Sequence, residues 1–130
     1  MKRLTPEWLA IAEADLGSAR REWAVVEEQR NLRAVAFHAK QAAEKFIKAV
    51  LKERSIHFPR THRLGELTRL LDPPDPRLGE LEEGLDRLSD FAIETRYPPG
   101  PPPSPEGVAA ALALANQVRA ICLELVGLAP

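Results

Sequence analysis

Five polar residues recur at helical spacing through the middle of the sequence: His38, Gln41, Lys45, Lys48 and Lys52. Wound into a helix, they fall within an arc of about 80°, turned away from the side that carries Phe46. Lysines placed this way make point-charge contacts to phosphate, and His and Gln add oriented hydrogen-bonding groups. The stripe therefore suits a nucleotide or a nucleic-acid backbone; a solvated helix face carries the same pattern. Thr61-His62-Arg63 forms a second group, at a predicted helix start where unbonded amides and the positive dipole end favour an anion, with Arg60 and Arg63 adding charge. Its plain alternative is that Thr61 caps the helix and His62 bonds a neighbouring carbonyl. Arg96-Tyr97-Pro98 is the third, closing a helix where arginine complements the negative dipole end and tyrosine covers the core while its hydroxyl stays wet.

The charge distribution reinforces the first two groups. Between Arg30 and Arg63 lie nine Lys or Arg residues against Glu44 and Glu53 alone, and all three histidines fall there too. That segment carries +7, so with a net charge of −1 the remainder of the chain totals −8. Such asymmetry points to an anionic partner for one face, or to an acidic surface on a second subunit. Familiar enzymatic signatures are missing: there is no glycine-rich phosphate loop, no His-Glu-x-x-His and no Gly-x-Ser-x-Gly. The single cysteine, Cys122, sits in an apolar helical pattern and is expected to be a buried core residue, with no second thiol for a disulfide or zinc site. Neither a metal nor a cofactor is expected.

At 130 residues the chain is expected to form one domain. No stretch approaches the roughly 20 apolar residues that cross a bilayer, and the start, MKRLTPEWLA, lacks the apolar run of a signal peptide. A cytoplasmic protein without membrane contact is the expectation. Thr5-Pro6, Asp75-Pro76 and Ser104-Pro105 each read as an N-cap followed by proline in a helix's first turn. The first helix is predicted from Pro6 to about Glu28, with Trp8, Ala12, Leu16, Ala19, Trp23 and Val26 as its apolar stripe. The second, about Asn31 to Arg54, buries Val35, Ala39, Ala42, Phe46, Ala49 and Val50. A short third helix, Thr61 to Leu71, points Leu64, Leu67 and Leu71 inward. The fourth starts at Pro76 and buries Leu78, Leu81, Leu85, Leu88 and Ala92. Residues 98–103 are too rich in proline for helix and read as an extended spacer. The last helix runs from Pro105 to about Val126 on Val108, Leu112, Ala115, Val118, Cys122 and Leu125. No segment reads as a strand. The fold class is all-α, an up-and-down bundle of about five helices, four forming the core and one short.

The run Ala36-Phe37-His38-Ala39-Lys40-Gln41-Ala42-Ala43-Glu44-Lys45-Phe46-Ile47-Lys48-Ala49 resembles the signature helix of the HEPN family, an aromatic residue and His, then Gln-Ala-x-Glu-Lys and Leu-Lys-Ala. Thr61-His62 before a leucine-rich helix, Thr95-Arg96-Tyr97-Pro98 after the fourth, and the opening Trp8 to Leu16 segment follow the family's order. The resemblance covers nearly the whole chain. It implies a helical bundle, frequently a homodimer, that works beside a minimal nucleotidyltransferase, in some cases as half of a toxin-antitoxin pair. With no transferase domain in this sequence, the resemblance implies a stand-alone partner subunit that binds a nucleotide or other substrate. It assigns ligand contact to His38, Gln41, Lys45, Lys48, His62, Arg96 and Tyr97.

Many proteins of the family are instead metal-independent ribonucleases with an Arg-x(4 to 6)-His motif, and Arg33 and His38 have that spacing. Here the resemblance implies that Arg33 binds phosphate and His38 assists attack by the ribose 2′-hydroxyl. Five residues of ideal helix turn through about 500°, which leaves the two side chains about 140° apart and unable to share a phosphate within one subunit. A dimer would have to bring opposite copies together, and Ala34 stands where those ribonucleases more often have Asn, Asp or His. A third reading is a non-catalytic interaction module that tethers or neutralises a protein partner.

Overall fold

The computed structural model describes residues 1–95, 98, 100 and 102–130. Five α-helices follow one another, and no strand occurs among the described residues. They are α1 (Thr5–Trp23), α2 (Leu32–Glu53), α3 (Leu64–Arg69), α4 (Pro76–Glu94) and α5 (Pro105–Leu125), with one 3₁₀ turn at Glu27–Gln29. The all-α expectation holds.

Helix α2 is the axle of the bundle and touches all four other helices. It can be central because Ala36, Ala39, Ala42, Ala43 and Ala49 let neighbouring backbones approach, while Phe46, Ile47, Val50 and Leu51 fill the space between them. Such residues are helix formers or tolerated members of a helix whose stability comes from packing. Asn31 caps its start by accepting the Ala34 amide at 3.1 Å. α1 and α5 lie along α2, and α3 packs chiefly on α4.

Two of the three proline-marked starts behave as the sequence predicts. Asp75 accepts the amides of Arg77 and Leu78, and Ser104 accepts that of Gly107 at 3.0 Å. Thr5 does not cap. It lies inside α1, fully buried, and its hydroxyl donates to Glu53 Oε1 at 2.9 Å, tying the start of α1 to the end of α2. α1 also stops sooner than its stripe predicts. Val26 has a non-helical backbone and is 63% exposed, because the chain turns back after Trp23 to enter α2. That reversal is held by Glu22, which accepts the Asn31 amide, and by the Arg30 guanidinium 4.2 Å over the Trp23 ring.

α3 is shorter than the predicted span at both ends. The Thr61 hydroxyl accepts the Arg63 amide at 3.1 Å and so closes a local turn ahead of the helix. Cys122 is buried, as expected, and burial raises its thiol pKa far above the usual value. α5 departs from the sequence expectation in one respect: over its 21 residues it is long and apolar enough, by length and composition, to cross a bilayer. In the bundle Val108, Ala115, Val118 and Cys122 are buried against the core, and a second apolar face is left outside.

Candidate functional site

The polar stripe predicted on α2 exists, but it is gathered around two carboxylates. Glu44 is 3% exposed and takes Lys40 Nζ at 2.6 Å and Lys48 Nζ at 2.9 Å. The spacing is i, i+4 on both sides, so one turn of helix above and one below deliver the two ammonium groups to one carboxylate. His62 Nδ1, on the loop before α3, lies 3.3 Å from Glu44 Oε1. Burial alone would raise the Glu44 carboxyl, but the hydrogen bonds and charges of Lys40 and Lys48 outweigh it and leave its pKa below the ordinary value.

Asp15 of α1 gathers the remaining members of the stripe in the same way. Its two oxygens take His38 Nδ1 at 3.1 Å and Lys45 Nζ at 2.5 Å. Lys48 also stands 5.7 Å over the Trp8 ring and 5.5 Å over the Phe58 ring, with those rings edge to face at 6.0 Å. Lys52 lies 5.4 Å over Phe58. Trp8 therefore packs in the bundle, as its stripe position predicts, and also covers a cation.

The expectation of a basic face presented to an anion is thus corrected. Lys48 is only 8% exposed and paired, Lys45 and His38 are half-buried and paired, and Gln41 is half-buried beside them. Three lysines on two carboxylates leave little net charge, and the charge that remains is fixed by packing. His62 differs: its side chain is 74% exposed.

The second predicted site, an anion at the start of α3, is overturned. The Leu64 amide donates to Ser89 Oγ and the Gly65 amide to Asp86 Oδ1, each at 3.1 Å. α4 thus supplies both the oxygen ligands and the negative charge that the helix start attracts. Arg63 is bound to Asp90 at 2.5 Å, which raises its pKa. The third group, Arg96 and Tyr97, lies outside the described residues.

Arg33 and His38 face different neighbours. Arg33 Nε donates to the Thr95 carbonyl at the end of α4, at 2.6 Å, whereas His38 reaches α1. The angular argument from ideal helix geometry is reproduced in the partners each side chain finds. Among the described residues no group of His, Cys, Asp and Glu is arranged to hold a metal ion.

Sequence reasoning misses the two acids that organise the site. Glu44 is legible in principle, since Lys40-x-x-x-Glu44-x-x-x-Lys48 is a double i, i+4 pattern. Asp15 is not, because only tertiary packing of α1 on α2 brings it to His38 and Lys45. A model of the family described as the HEPN domain matches residues 5–125. The fold is similar to that of the crystal structure of an archaeal HEPN homologue, with a TM-score of 0.71 and 22% identity, over 97% of this chain and 99% of that one. No curated protein matches the chain.

Proposed function

The chain belongs to the HEPN family, and from that premise we propose that it is a non-catalytic partner subunit of a minimal nucleotidyltransferase, one that binds and does not cut. The observation that carries this reading is the divergence of Arg33 and His38. A ribonuclease site within one copy needs its arginine on the scissile phosphate and its histidine on the attacking hydroxyl, within hydrogen-bonding reach of one reacting group. Here one side chain is engaged by α4 and the other by α1.

Substrate contact in this reading falls to His62, exposed on the loop before α3, because Lys45 and His38 are held by Asp15. Lys48 acts on His62 through Glu44 and is a positioning residue. The test has two arms on the purified protein. Incubated with single-stranded RNA in a chelator, the protein leaves the RNA intact. At low salt it binds ATP, and His62→Ala weakens that binding while Arg33→Ala does not. RNA cleavage that His38→Ala abolishes would replace this reading with the ribonuclease, built from opposite copies in a dimer. An intact RNA with no ATP bound would leave the interaction module.

A further inference from the structure

The α4–α5 face is the chemical opposite of α2. Between these helices runs an open cavity of about 520 Å³. Its floor is Leu81, Phe91, Ala110 and Leu114, and Gly84 and Gly107 keep it clear. A methyl at Gly84 would stand 3.5 Å from Leu114, and one at Gly107 would stand 3.4 Å from Phe91. The rim is acidic: Glu80 and Glu83 line it, with Arg87 turned to Glu83 at 3.0 Å. Within Pro76–Glu94 and Pro105–Leu125 together there are eight carboxylates against three arginines. Glu82, Asp86 and Asp90 among them already bind Arg69 and Arg63 on the far side of α4, which leaves Glu80, beside the Glu83–Arg87 pair, to face an incoming partner.

We infer that this groove docks an amphipathic helix of a partner protein, one that presents leucine-like side chains at i, i+3, i+4 and i+7 and flanks them with Lys or Arg. Burying the apolar floor supplies the attraction, and the acidic rim selects the sign of the partner's flanks. A second copy of this chain fits poorly. Across a two-fold axis the same patch meets itself, which repeats the net negative charge of Glu80, Glu83 and Arg87 on both sides of the contact. An anionic bilayer fits no better, since the rim repels it. The inference rests on the partner-subunit reading and names the surface and chemistry by which such a subunit joins its partner.

The test titrates the full-length protein with a helical peptide of about five turns, leucine on one face and lysine on its flanks, and with a twin carrying glutamate in place of lysine. Amide shifts in the two-dimensional NMR spectrum locate the contact, and fluorescence anisotropy gives the affinity. The lysine peptide should bind at least about tenfold more tightly than its twin and move the amides of Leu81, Gly84, Phe91 and Leu114. Leu114→Lys and the Glu80→Lys/Glu83→Lys pair should each weaken it without altering the circular dichroism spectrum. Equal binding of the twins, or shifts elsewhere on the surface, would overturn the inference. So would light scattering that shows a dimer which Leu114→Lys converts to monomer, because a second copy would then own the groove. RNA cleavage dependent on His38 would remove the partner-subunit reading without touching the peptide result, and a failed titration would leave the RNA result where it stands.

Discussion

Helix α2 keeps charged side chains inside the bundle, whereas α4 and α5 leave apolar side chains outside it. Lys40, Glu44 and Lys48 are buried at the centre of the fold, while Phe91 and Leu114 stay only partly covered beside an open groove. Each arrangement is the reverse of what the residue type alone would favour, since lysine and glutamate are almost never fully buried unless paired. The difference teaches that charge on a helix does not by itself mark a free surface. A lysine stripe becomes structural when tertiary contacts bring it a carboxylate, and an apolar stripe that no element covers becomes a candidate for docking.

The contrast makes sharp predictions about stability. Glu44→Ala removes one partner from two buried ammonium groups and should destabilise the fold by roughly 3–5 kcal/mol, read from urea denaturation. Leu114→Ala on the groove floor should change stability by well under that, about 0.5 kcal/mol. Similar losses at both positions would erase the distinction between an internal network and an open face. Between these extremes lies Gly65→Ala. A Cβ there would fall 2.1 Å from Asp86 Oδ1, so about 1–3 kcal/mol should be lost, and the loss should shrink when Asp86→Ala is added.

Acid should act on the α2 network in a defined direction. The Glu44 pKa is depressed in the folded state, so between that value and the unfolded value near 4.3 the unfolded chain holds more protons. The stabilisation is complete above about pH 4.3 and disappears as pH falls through the depressed folded value. Denaturation midpoints should therefore drop below about pH 4, and Glu44→Gln should flatten the drop. Asp75→Ala gives a smaller effect than Glu44→Ala, about 1 kcal/mol, because it removes one helix cap and leaves behind only Arg77, a cation that water reaches.

The helices are legible in the sequence because their signals are local. Apolar residues at steps of three and four, Asn31, Asp75 and Ser104 at the caps, and proline in the first turn all act within one turn of chain. What the sequence hides is set by distant partners. Thr5 has the type and spacing of a cap, but Glu53 claims its hydroxyl, and Val26 continues the α1 stripe although the chain has to reverse into α2. The residues His38, Gln41, Lys45 and Lys48 do share α2, yet the charge they present depends on Asp15 from another helix. The α3 start looks open in sequence, and Ser89 and Asp86 fill it from α4. No spacing rule within a single segment reports such contacts.

The claim that α2 holds its lysines for the fold is tested most directly by a double-mutant cycle on Glu44 and Lys48, measured at low and high salt. Glu44→Gln, Lys48→Met and the pair should yield a coupling above about 1 kcal/mol that changes little with salt, because a buried pair is poorly screened. A coupling near zero, or one that salt removes, would mean that Lys48 lies in solvent and that the basic face is open after all.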